Sequence, residues 1–428
     1  MSAATVRATE AAVPGISERL PRFLAIGAQL ALLLAVFRLY RVEEPAFFVL
    51  AVVMFAGFAV SYWLPVAWKE PFFAALSVAG AFFVTEPVVV AAVVGTALIF
   101  FAISRAKLSY RARVFAIGAV FLGLLAARNV PLPGAPPALW PTIGAVFMFR
   151  LLIYVYDLRN MKQPPTLSDF GTYFLMLPNY YFLFFPVIDY QTMRKSFLRR
   201  DQAEVAQRGV WWIVRGTAQL LIYRAILVVK PAASPDVVTT LPLLVENLIL
   251  TYMLYLRVSG TFHIIVGMLH LFGYDLPETH RRYLFASSFT DFWRRINIYW
   301  KDFMAKVVYF PVFFRFRKSG QGRAQIIATS AVFFATWALH GYQYYWLSGR
   351  WLFTVTDSMF WGLLAVLLLV NLAIEIRARA RGALGRRGPL RTAVQVAGMF
   401  AVMTVLWSLW SSPSLNAWLD LLTYWRVG

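Results

Sequence analysis

Apolar runs of membrane length follow one another along almost the whole chain, at 23–37, 45–67, 71–83, 86–104, 112–128, 141–157, 169–188, 208–230, 237–257, 259–273, 303–315, 324–347, 351–375 and 393–411. A bilayer core takes about 20 residues of helix, so the shorter runs are read as half-helices, re-entrant or interfacial pieces. The expectation is an all-α polytopic integral membrane protein with about ten or eleven transmembrane helices. Composition agrees: 60% of residues are hydrophobic and 14% are charged, against about 25% charged in a soluble domain.

Residues 1–22, with Arg7, Glu10, Glu18, Arg19 and Arg22, read as a polar arm. The run Phe23–Phe37 has the length of a signal-peptide core, but Arg38 and Arg41 follow it and no small-residue cleavage site is evident. It is therefore read as an uncleaved first helix. Pro131, Pro133, Pro136, Pro137 and Pro141 mark one connector, and Pro231 with Pro235 another. No internal repeat is visible, and 23–428 is expected to form one transmembrane domain.

The net charge of +21 sits in short loops between apolar runs. One is Arg105, Lys107, Arg111 and Arg113, and a second is Arg194, Lys195, Arg199 and Arg200. A third is Arg377, Arg379, Arg381, Arg386, Arg387 and Arg391. Under the positive-inside rule all three face the cytoplasm, against anionic lipid rather than nucleic acid. The chain has no cysteine, which excludes disulfides, thiolate metal sites and acyl-cysteine intermediates.

Two places carry chemistry. His340 lies in ATWALHGYQYYW, directly before Gly341. Glycine lets a substrate or another backbone approach closely, and the surrounding aromatics would exclude water, a setting that suits a general base. The competing reading is a buried histidine with a satisfied hydrogen bond. The second place is SSFTDFWRRINIYWKDF at 287–303. On one helix Asp291, Arg294, Arg295 and Asp302 would share a face and neutralise one another. Asn297, between Ile296 and Ile298, must find a partner for its amide. His263 and His270 are two turns apart, about 10 Å, too far for one metal ion. They and His280 read as packing or interfacial residues, and no metal site is expected.

At these residues the chain resembles the membrane-bound O-acyltransferase superfamily, above all its bacterial branch that acylates polysaccharides and wall polymers. The resemblance is an ordered series: Ser259-Gly260, Gly267, Phe272-Gly273-Tyr274 and Leu276-Pro277-Glu278, then Tyr283, then Ser288 to Arg295, and last Trp337-Ala338-Leu339-His340-Gly341. Upstream, LPNYYFLFFPVIDYQTMRKSF at 177–197 resembles the segment before that core, and the similarity covers about 165–345. Two departures are present. Asn297 stands where the polysaccharide branch has a second histidine and resembles the lipid- and protein-acylating branches. Thr336-Trp337-Ala338-Leu339 stands where Gly-x-Trp-His is expected.

The resemblance implies O-acyl transfer, of the O-acetylation type, in the bacterial inner membrane. A cytoplasmic thioester (acyl-CoA or acyl-carrier protein) would be the donor, and a hydroxyl of a cell-envelope polysaccharide or of a lipid the acceptor. No cofactor would be bound. His340 would be the general base and Asn297 its polar partner. Trp293, Arg294, Arg295, Lys301 and Trp337 would contact substrate, the cations through coenzyme A phosphates. Membrane lipids and an accessory envelope protein are the other expected partners. A transporter is the rival class, but Glu246, Asp189 and Asp357 have no symmetric counterparts of the kind inverted repeats supply. A lipid-linked-sugar glycosyltransferase would want an acidic pair and a metal, for which Glu43-Glu44 and Glu86 offer little.

Overall fold

The structure, a computed structural model, describes residues 16–159, 161, 164–381 and 388–426. Arg7 and Glu10 of the terminal arm, and Arg386 and Arg387 of the last basic loop, lie outside the described residues. Within them there are helices and connectors but no strand, apart from one antiparallel bridge between Phe197 and Tyr274. Hydrocarbon offers no hydrogen-bond partner, so a helix, which closes its backbone bonds within itself, is how such apolar runs are accommodated.

Among the described residues nine helices are long and apolar enough to cross a membrane: Ile16–Tyr40, Pro45–Trp63, Pro87–Arg105, Tyr110–Ala127, Leu139–Leu158, Gln202–Val229, Leu241–Leu271, Val355–Ala380 and Pro389–Ser411. The protein is an all-α polytopic membrane protein. Two further long helices, Val66–Val84 and Gln321–Ser348, fall outside this set. The first carries Lys69 and Glu70, and the second Gln321, Arg323, His340 and Gln343.

Three expected elements differ. Residues 16–22 of the arm already belong to the first helix, with Pro21 inside it. The 169–188 run is not a span: Leu167–Phe174 is followed by the single turn Pro178–Tyr181, and the chain is then irregular up to Tyr190. Pro178 and Pro186 remove the backbone donors a continuous helix needs. The 303–315 run is divided between Ile298–Met304, a π-turn at Ala305–Tyr309 and Phe310–Phe316.

Within 23–428 the chain gathers into two compact units. The first holds residues up to Ala218 with Gly260–Pro277 and Trp346–Arg350; the second holds Gln219–Ser259, Glu278–Tyr345 and the chain from Trp351 onward. In the first unit, glycines let the Gln202–Val229 helix meet the Leu256–Leu271 helix backbone to backbone. A Cβ on Gly209 would stand 2.6 Å from the Gly267 carbonyl oxygen, and one on Gly267 would stand 2.6 Å from that of Gly209. Beside this contact Asp275, 5% exposed, gathers Arg199, Arg200 and Arg208 at 3.8, 3.2 and 2.5 Å.

Besides Leu241–Met253 and shorter helices, the second unit includes α1 (Phe289–Arg295), α2 (Ile298–Met304), most of α3 (Gln321–Ser348), α4 (Val355–Ala380) and α5 (Pro389–Ser411). α4 packs along α5, and α1 packs on α4. Their buried faces meet in an aromatic and Met-rich core that includes Phe292, Phe333, Phe360, Met403 and Trp407.

Replacing Gly267 by Leu forces the two helix backbones of the first unit apart. Overpacking of this kind costs about 1–3 kcal/mol or more. The unfolding temperature of the protein in detergent is expected to fall by several degrees. Gly27→Leu, at a position where a Cβ meets open space, is expected to leave it unchanged, and equal effects of the two would refute the close approach.

Candidate functional site

The site is assembled from helix ends. Ser288 caps α1 by accepting from the Asp291 N–H at 3.2 Å, and Asp291 in turn accepts from Ser287 N at 3.1 Å and from Arg295 Nε at 2.7 Å. Thr290 ties α1 to α4: its N–H donates to Asn371 Oδ1 at 3.2 Å and its hydroxyl donates to Glu375.

α1 stops at Ile296, whose backbone is extended, and Asn297 then adopts φ +37° and ψ +64°. Asparagine tolerates this left-handed conformation better than most residues. Its Oδ1 accepts from the Trp300 N–H at 3.2 Å and so starts α2. The continuous charged face expected for 291–302 therefore does not form. Asp291 pairs with Arg295 as the spacing predicts, Asp302 pairs with Lys301 at 2.8 Å, and Arg294 is exposed. The demand for a partner to the Asn297 amide is met by its oxygen.

α2 is fixed to α3 by the Trp300 indole, which donates to Thr336 Oγ1 at 3.3 Å, one turn ahead of His340. Trp293 of α1 packs on Phe333 of α3, with ring centres 4.8 Å apart. Trp337 lies 4.9 Å from Phe353, and Gly341 leaves room for the Phe353 ring, which a Cβ there would meet at 2.6 Å.

His340 lies between two indoles, 5.6 Å from Trp361 of α4 and 5.3 Å from Trp410 of α5. Its Nδ1 is buried and has no hydrogen-bond partner. Trp410 links the imidazole to a carboxylate, because its Nε1–H donates to Asp357 Oδ1 at 2.8 Å. Asp357 is 1% exposed and no described cation pairs with it. It sits in the first turn of α4, where Thr354 caps its N–H at 3.1 Å and the positive end of the helix dipole favours an anion. Trp361 and Trp337 turn their indole N–H groups toward the same carboxylate, yet neither closes a bond of ordinary geometry, and Asp357 Oδ2 is left without a partner. His340 Nδ1, two indole N–H groups and a carboxylate oxygen thus lie unfilled in one aromatic cluster. Each such group costs about 1–3 kcal/mol if left bare, which marks a place that a polar ligand completes.

Asp357, Trp361 and Trp410 were not among the expected site residues. A signal was present: Asp357 is the sole acid between Asp302 and Glu375, and an acid within membrane-length helices is functional by default. What the sequence lacks is the pairing of α3, α4 and α5 that brings it to His340. The other histidines are used in packing. His263 stacks on Trp212 at 5.0 Å, His270 Nδ1 meets the Val266 carbonyl at 2.7 Å, and His280 Nε2 meets the Tyr255 hydroxyl at 2.9 Å. Among the described residues no group of three His, Cys, Asp or Glu is placed to hold a metal ion. Tyr299, buried beside Asn297 in α2, has its phenol held well above the ordinary range by burial, the Asp302 carboxylate adding to the shift. It is a neutral hydroxyl at physiological pH.

In comparisons with known proteins, no family model and no curated protein matches this chain.

Trp410→Phe removes the hydrogen bond that Asp357 accepts. Bonds to charged groups contribute about 1.5–3 kcal/mol, and a loss of this size is expected in unfolding measured in micelles. The same change in an Asp357→Asn protein is expected to cost clearly less, since neighbouring partners are non-additive. Identical losses in both backgrounds would show that Trp410 acts through packing alone.

Proposed function

We propose that the chain is a membrane-bound O-acyltransferase, carrying an acyl group from a cytoplasmic thioester to a hydroxyl of a cell-envelope glycan, with His340 as general base. The observation that carries this reading is the unfilled polar set around His340: a sealed ring nitrogen in the same aromatic cluster as a buried carboxylate that two indole N–H groups face without closing a bond. The ordered resemblance of 259–341 to acyltransferases of this type supports it from the sequence side.

In the proposed reaction the imidazole takes the acceptor hydroxyl proton as that oxygen attacks the thioester carbonyl. The carbon–sulfur bond breaks when the tetrahedral intermediate collapses, and the thiol leaves with the proton. The Asn297 oxygen is committed to capping α2, so its amide N–H is the group left to donate to the developing oxyanion. Of the three cations expected to meet coenzyme A phosphates, Arg295 and Lys301 already hold Asp291 and Asp302, and Arg294 is exposed. Arg294 is the cation assigned to the donor.

A glycan fits the cluster better than an aliphatic alcohol. A sugar ring presents apolar C–H faces to indoles, and its neighbouring hydroxyls can both donate to Asp357 Oδ2 and accept from Trp337 and Trp361. A lipid acceptor is the second reading, favoured by asparagine at 297.

His340→Gln is expected to lower transfer by about 10²–10⁴-fold, the range of a positioned general base. The check is the disappearance of one ester from envelope glycans, read by mass spectrometry in cells that accumulate the variant normally. An unchanged ester pattern would end the proposal. Asn297→Asp keeps the capping oxygen and a residue that tolerates the left-handed backbone, but removes the amide donor. A fall of about 10²–10³-fold in turnover with unaltered unfolding temperature is expected, whereas unaltered turnover would leave Asn297 a helix cap only.

A further inference from the structure

The second unit carries an apolar groove that the chemistry at His340 does not use. One wall is the first three turns of α5, with Pro389, Ala393, Val396 and Phe400. The other is Leu284 with Phe285 on the short 3-10 turn Tyr283–Phe285. Its volume is about 830 Å³, within the range of about 300–1,000 Å³ of small-molecule sites. From Pro389 to Phe400 the groove runs about 17 Å along the helix. That is about the depth of one leaflet, half of a hydrocarbon core of roughly 30 Å.

Its rim carries charge. Arg391 lies in the lining turn between Pro389 and Thr392, and Arg281 and Arg282 come directly before the other wall. All three are exposed and none pairs with an acid among the described residues. Phe285 and Leu390 beside them are 64% and 78% exposed. Bare cations next to bare apolar side chains match a membrane interface, where a phosphate and an acyl chain belong to one molecule. At its inner end the groove reaches the unit's core: Leu284 and Phe400 pack against it, and Phe400 lies 5.5 Å from Tyr252.

We infer that this groove is a binding site for an anionic phospholipid of the cytoplasmic leaflet, one acyl chain lying along α5 and the headgroup held by Arg391 and Arg282. The apolar walls select a chain, and the unpaired guanidiniums select a negative headgroup over a zwitterionic one. The assignment does not rest on the acyltransferase reading, because the groove and its rim are independent of His340.

The test is native mass spectrometry of the full-length protein in detergent, titrated with dioleoyl phosphatidylglycerol, with dioleoyl phosphatidylcholine and with oleoyl-coenzyme A. The wild type is expected to retain phosphatidylglycerol at least tenfold better than phosphatidylcholine. Arg282→Gln with Arg391→Gln is expected to bring phosphatidylglycerol down to the phosphatidylcholine level. Ala397→Trp, which fills the groove, is expected to lower retention of both lipids with an unchanged elution volume. Should that variant not fold, the charge variant alone decides. Equal retention of the two lipids by the wild type, no response to loss of the two arginines, or displacement of phosphatidylglycerol by oleoyl-coenzyme A at equal concentration would overturn the site. His340→Gln is expected to bind phosphatidylglycerol as the wild type does, so lipid retention and acyl transfer fail separately.

Discussion

Hydrogen-bond satisfaction without water is the constraint from which the remaining features follow. In hydrocarbon a bare backbone group costs several kcal/mol, so most of the apolar runs are helical, and many polar residues sit at helix ends. Ser109, Thr166, Asp189, Ser288, Asn297 and Thr354 all cap helices with their side chains. Thr166 and Asp169 do so reciprocally, in a capping box. A polar atom that escapes this accounting is informative, and the cluster around Asp357 holds several that do.

The break at Asn297 shows how local backbone chemistry positions that cluster. A continuous helix through 291–302 would have placed its charges in one row. The left-handed asparagine instead ends one helix and begins another, so that Trp293 and Trp300 both reach α3, at Phe333 and at Thr336. Each contact falls within two turns of His340. Trp410 then joins α5 to α4 through Asp357 and places its ring against the imidazole. The aromatic residues thus act as spacers and as donors, which explains why so many of them gather in one part of the second unit.

Much of the fold was legible because hydropathy and helix geometry act locally. The runs at 45–67, 86–104 and 393–411 became the helices Pro45–Trp63, Pro87–Arg105 and Pro389–Ser411, each opening on a proline whose missing N–H costs nothing there. The 169–188 run misled because average hydropathy does not register what Pro178 and Pro186 do to the hydrogen-bond ladder. At 291–302 the i,i+4 spacing was right for Asp291 and Arg295. It failed for Asp302, since one residue at positive φ resets the helical phase.

Sequence by itself determined the class of the protein, the positions of most helices and the prominence of His340, because each depends on a residue and its near neighbours along the chain. It did not give Asp357 a place beside that histidine, nor the opposed glycines Gly209 and Gly267, nor a groove between 284–285 and 389–400. Those juxtapose residues from 17 to more than a hundred positions apart, on helices whose rotation and pairing are set by side-chain packing. That packing is a property of surfaces meeting in three dimensions, and no periodicity within a single helix encodes which surface it will meet.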